Sequence, residues 1–115
     1  MLRFAQAEED VILIRIVTDR LLEIRGVAQE LGVRHLALFG SAAVGDFDPA
    51  RSDLDFVVEF PPLQPAEHAR RFFELSARLE RLFQRHVDLV ELRPIRNPHL
   101  RAEIERTRVP LFDAA

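Results

Sequence analysis

Cysteine is absent from this chain of 115 residues, and so are lysine, tyrosine and tryptophan. Without cysteine there is no disulfide, no thiol nucleophile and no zinc–thiolate centre. Without lysine there is no Schiff-base chemistry and no Walker-type P-loop, whose lysine is obligatory. Without Tyr and Trp the chain offers no phenol as an acceptor and no such ring for base stacking. Surplus positive charge is missing as well: 16 Arg face 19 acidic residues, for a net charge of -3. That balance gives no footprint for coating nucleic acid, and no direct nucleic-acid binding is expected. The apolar run Val11 to Ile14 falls far short of the ~20 residues that cross a bilayer. Met1 to Asp10 carries three acidic residues and no apolar core, unlike a secretory leader. The expectation is a soluble, cytoplasmic protein without membrane association.

What is present suffices for a core. Hydrophobic residues make up 48% of the chain, enough for one domain, residues 1–115, that folds without a staple. Ile14, Val17, Leu21, Ile24, Ala28 and Leu31 recur at spacings of three and four and predict a helix over 10–31. Gly26 is where that helix could bend or restart, and Gly32 is its C-terminal cap. Leu13, Ile16 and Leu22 widen the apolar arc, which suits a core helix or one shared with a partner chain. Short apolar segments at 35–39, 54–60 and 87–92 predict strands. Phe72, Leu75, Leu79, Leu82 and Phe83 mark the apolar face of a helix at about 66–85. Its Arg70, Arg71, Arg78, Arg81 and Arg85, interleaved with glutamates, read as a solvated face with ion pairs. Asn97-Pro98 caps and opens a closing helix at 98–107, and residues 109–112 suit a short edge strand. The fold class is therefore α/β (α+β): a small mixed sheet covered by helices.

Three carboxylates stand where carboxylates are costly. Asp53 and Asp55 open the second predicted strand, and Asp88 sits between Val87 and Leu89 on the third. Asp is disfavoured in strands and expensive beside a core unless paired or metal-bound. Residues two apart on a strand share a face, so Asp53 and Asp55 project together, and a divalent cation relieves their repulsion. An all-oxygen set suits Mg²⁺ or Mn²⁺ better than zinc. Alone, an Asp-x-Asp is more often a turn end and a solvated edge. Here a small-residue segment lies just upstream: Gly40-Ser41 ends the first strand and Ala42 to Gly45 follow. Gly40 permits close approach of a phosphate, and the Ser41 hydroxyl with adjacent N–H groups would face an anion. An anion cradle and a dicarboxylate metal site serve one purpose, since one holds a triphosphate and the other the metal that bridges it. Antiparallel neighbours ending at Ser41 and beginning at Asp53, with a third strand starting at the same rim, would bring all these groups together.

The run from Phe39-Gly40-Ser41 to Ser52-Asp53-Leu54-Asp55-Phe56, with Val87-Asp88-Leu89-Val90 and the tail Asn97 to Phe112, resembles the polymerase-β-like nucleotidyltransferase superfamily. In particular it looks like the minimal nucleotidyltransferase (MNT) domains of HEPN/MNT toxin–antitoxin pairs. The resemblance implies a palm-like nucleotidyltransferase fold. It implies that Gly40 and Ser41 bind the nucleotide phosphates and that Asp53, Asp55 and Asp88 hold two Mg²⁺ ions. It also implies that Asp88 helps deprotonate the acceptor. The implied activity is transfer of AMP from ATP to a hydroxyl, a Tyr of a HEPN toxin encoded nearby, with the chain as antitoxin in a hetero-oligomer. Many relatives carry Arg where this chain has Ala42 and Val44, and its spacer from Ala42 to Ser52 is one residue longer than the commonest form. Those departures support a second reading: a weak or inactive domain of the same fold that neutralises a HEPN toxin by binding alone. His35, His68, His86 and His99 lack metal-type spacing, and only His86, just before the third strand, falls near the implied site.

Overall fold

Segments rich in β-branched and aromatic residues alternate with amphipathic ones, and the backbone follows that alternation. The computed structural model describes residues 15–40, 54–93 and 96–114. After helical residues 15–18 come α1 (Leu21–Glu30), β1 (His35–Phe39), β2 (Leu54–Glu59), α2 (Pro65–Phe83), β3 (Val87–Glu91), α3 (Pro98–Thr107) and β4 (Val109–Asp113). The strands form one sheet in the order β3-β2-β1-β4. β1 runs antiparallel to both β2 and β4, whereas β2 and β3 are parallel. A parallel pair needs a long crossover, and α2 supplies it. This is the mixed, helix-covered sheet that the sequence predicts.

The first helix breaks elsewhere than expected. Residues 10–14 lie outside the described residues, and the helical path from Arg15 is interrupted by a turn at Asp19-Arg20, not at Gly26. The Arg20 N–H bonds to the Val17 carbonyl, three residues back, and the helix resumes with Ile24 N–H on the Arg20 carbonyl. On either side of the break Val17 and Ile24 are both fully buried, so the restart keeps the apolar stripe on the core. Gly32, with φ +67, ends the helix in the left-handed conformation that glycine adopts at low cost. Leu22, from the widened arc, is 84% exposed.

Two layers result. Leu36 and Leu38 of β1 with Leu54, Phe56 and Val58 of β2 face α1 and α2, where Ile24, Ala28, Leu75 and Leu79 close the main core. Each of these Leu, Ile, Val and Phe side chains contributes about 1.5–3 kcal/mol by burial, and Ala28 less. On the other face Ala37, Phe39 and Val57 pack on Ile104 of α3, with Val90, Leu92 and Leu100 at the margin. Alternation along each strand sends successive side chains to opposite layers, so odd-numbered residues of β2 belong to the α3 layer.

Local chemistry sets the ends. Pro65 occupies the first turn of α2, one residue before the predicted start, and Gln84 ends the helix in the left-handed region with φ 51. The Asn97 side chain accepts from the N–H groups of His99 and Leu100, capping α3 as predicted. Pro110 is tolerated because β4 is an edge strand, and the register shifts between Leu36 and Ala37 opposite it. The Arg-rich face of α2 is engaged in ion pairs: Arg70 and Arg71 with Glu67, Arg81 with Glu74, and Arg78 with Glu30 of α1. No helix among the described residues is long and apolar enough to cross a membrane.

Candidate active site

β1 leaves the sheet at the rim where β2 and β3 enter it, and the register fixes what meets there. Phe39 pairs with Asp55, and Asp55 pairs with Asp88. Paired residues on adjacent strands share a face and sit about 5 Å apart. Asp55 and Asp88 therefore form a side-by-side pair of carboxylates. By alternation from Val57 and Val90, which pack toward Ile104, both lie on the α3 side of the sheet. Asp55 is half-buried and Asp88 is exposed.

Gly40 is the next residue beyond Phe39 and lies against the first of these acids. Its φ is +76, and a Cβ built on it would come within 2.5 Å of Asp55 Oδ2. Only glycine leaves that space open. The Gly40 N–H donates to Thr107 Oγ1 at 3.0 Å in a buried contact, so the amide is already committed. What Gly40 offers the site is its missing side chain.

His86, immediately before β3, places Nε2 3.1 Å from Asp88 Oδ1 and Nδ1 3.7 Å from Glu80 Oε1. The imidazole thus lies between two carboxylates, beside Asp88. His86 falls close to Asp88, as its place just before the third strand suggested. Ser41 and Asp53, the other two residues singled out there, lie outside the described residues. Among the described residues no group of three or more His, Cys, Asp or Glu side chains is arranged to hold a metal. The two carboxylates still fit a hard divalent ion: like charges on one face repel, and a cation between them removes that cost.

The sequence reading missed Thr107, although a signal was there. Leu100, Ile104 and Thr107 follow one stripe of α3, and a hydroxyl ending an apolar stripe needs a partner. Thr107 is the one buried polar side chain among the described residues. Among the described residues an apolar groove of about 740 Å³ lies elsewhere, along α2 and the outer edge of β3 between Leu63, Phe72, Phe73 and Leu89, where His68 pairs with Glu91. It lacks the adjacent carboxylates and is not the site assigned here.

With this geometry the comparisons decide the family. The model of the nucleotidyltransferase domain matches residues 21–111. The chain belongs to the nucleotidyltransferase domain family. A Methanocaldococcus jannaschii protein classed as a candidate protein adenylyltransferase is 36% identical over 73 residues, 64% of this chain and 71% of the relative. A solved candidate minimal nucleotidyltransferase superposes with a TM-score of 0.62 at 30% identity, covering 83% of this chain and 92% of its own. The MNT antitoxin complex with the tri-AMPylated HEPN toxin of Shewanella oneidensis gives 0.58 at 20% identity, covering 84% of this chain and 72% of that one. This nucleotidyltransferase is of the minimal type, and its fold is that of the palm-like family the sequence resembles.

Proposed function

We propose that this nucleotidyltransferase transfers AMP from ATP to a hydroxyl, a tyrosine of a HEPN-type toxin encoded nearby, and so acts in the cytoplasm as the antitoxin of a hetero-oligomeric pair. The observation that carries the reading is the register of Asp55 against Asp88 at the rim where Gly40 leaves β1. The tri-AMPylated toxin bound by the Shewanella MNT protein supports the acceptor class.

In this reading Asp53, Asp55 and Asp88 hold Mg²⁺, and Gly40 and Ser41 face the phosphates of ATP. When bound, the two ions supply Lewis-acid stabilisation of the attacking and leaving oxygens of an in-line displacement. The chain's residues do the rest. Gly40 leaves room for the triphosphate and for the Asp55 carboxylate together. Asp88, with His86 beside it, takes the proton of the acceptor hydroxyl as its oxygen bonds to the α-phosphorus. The bond from the α-phosphorus to the β-phosphate oxygen breaks, and pyrophosphate leaves.

The test is incubation with labelled ATP, Mg²⁺ and the product of the adjacent reading frame, with the partner weighed by mass spectrometry. The expected result is a partner heavier by one or more AMP units, and no gain with Asp55→Asn. An unmodified partner that is nevertheless silenced, by wild type and Asp55→Asn alike, contradicts transfer and favours neutralisation by binding alone.

A further inference from the structure

Thr107 is the last residue of α3, and its hydroxyl makes two hydrogen bonds. It donates to the Glu103 carbonyl at 2.7 Å and accepts from the Gly40 N–H at 3.0 Å. A threonine hydroxyl has one proton, so with that proton on Glu103 its lone pair is left to the Gly40 amide. The bond joins residues 67 apart in the chain and ties the end of α3 to the exit of β1. It does so in the α3 layer, on the face that carries Asp55 and Asp88. The Thr107 side chain is nearly closed to water, at 5% exposure, so water cannot readily take over if the hydroxyl is lost.

The consequence reaches the site through Gly40. Its backbone sits in the left-handed region, and the space where a side chain would begin is taken by the Asp55 carboxylate. A peptide unit rotated away from Thr107 would alter both at once. We propose that Thr107 is a positioning residue for the nucleoside triphosphate and its divalent cation: it locks the Gly40 peptide, and thereby fixes Gly40 relative to the Asp55 carboxylate. This rests on the nucleotidyltransferase reading and assigns it a residue distant in sequence from the Gly-Ser and Asp-x-Asp motifs. Thr107 itself touches neither nucleotide nor metal.

Two variants separate a positioning hydroxyl from a merely space-filling side chain. Thr107→Val keeps the shape and removes the hydroxyl, whereas Thr107→Ser keeps the hydroxyl and removes a methyl. Mg²⁺·ATP affinity is measured by calorimetry for the folded wild type and variants, and Gly40 amide exchange by NMR without nucleotide. Thr107→Val is expected to bind Mg²⁺·ATP about tenfold more weakly, the scale of one lost buried hydrogen bond, and to lose Gly40 protection. Thr107→Ser is expected to restore both. Equal affinity in Thr107→Val and wild type overturns the inference, as does a Thr107→Ser protein as defective as Thr107→Val. Should Thr107→Val fail to fold, wild-type exchange still decides, because an unprotected Gly40 amide refutes the lock. A wild type that binds no Mg²⁺·ATP at millimolar concentration, with Gly40 protected, sinks the nucleotide reading and the positioning role with it. That outcome differs from a failure confined to Thr107.

Discussion

At the scale of single residues, the site depends on an absence as much as on its acids. Gly40 combines a φ of +76 with an Asp55 oxygen where a side chain would begin. Gly40→Ala should cost about 1–2 kcal/mol from the left-handed backbone alone, and its methyl should also push the carboxylate aside. Denaturant unfolding is expected to show that loss, and Mg²⁺·ATP affinity should fall further than the loss of folded protein explains. An alanine variant as stable as wild type, with unchanged affinity, would contradict the close approach. Asp55 and Asp88 stood out in sequence because charged residues in strands are costly and therefore conspicuous. Thr107 did not, since a threonine near a helix end has many ordinary roles and its partner lies far away in the chain.

Elements were legible wherever a periodic apolar pattern coincided with turn chemistry. Asn97-Pro98 marked the start of α3 because a side-chain acceptor and a missing N–H both suit a helix N-terminus. The restart at Asp19-Arg20 was hidden because a one-turn break preserved the stripe on both sides. Glycine drew attention to residue 26, whereas burial of Val17 and Ile24 governs the path of the chain. Arg70, Arg71, Arg78 and Arg81 of α2 form ion pairs as their pattern suggests, while Arg85 lies beyond the helix end with Nε and Nη1 closed to water. The charged face carries a pH signature. Hydrogen bonds from Arg70, then Arg71, lower the Glu67 pKa from 4.5 to about 2. A depressed carboxylate stabilises the fold above its unfolded pKa and loses that contribution as pH falls through the folded value. Wild type should therefore lose stability relative to Glu67→Gln between pH 4.5 and about 2, by an amount that solvent screening keeps small for a side chain 37% open to water. Thermal unfolding of both proteins across that range checks it, and parallel pH profiles would refute it.

For the molecule as a whole, function follows from topology. An antiparallel neighbour on one side of β2 and a parallel neighbour on the other bring the end of β1 and the starts of β2 and β3 to a single rim. The order of elements and the meeting of the β2 and β3 starts at one rim were readable from sequence. The residue-for-residue register of Asp55 with Asp88 was not, because register depends on how α2 returns the chain. A one-residue slip of β3 would turn Asp88 to the other face. The central claim is that this alignment makes a cation-dependent nucleotide site. The most direct measurement is the shift in melting temperature caused by Mg²⁺ with a non-hydrolysable ATP analogue, for wild type and Asp88→Asn. Ligand that binds only the folded state stabilises it by about 2.7 kcal/mol at a hundredfold excess over Kd. Wild type should melt at higher temperature only when both Mg²⁺ and analogue are present. Asp88→Asn, altered at an exposed position, should match wild type without ligand to within about 0.5 kcal/mol and gain nothing from them. Equal stabilisation of the two proteins, or none of the wild type, would contradict the account.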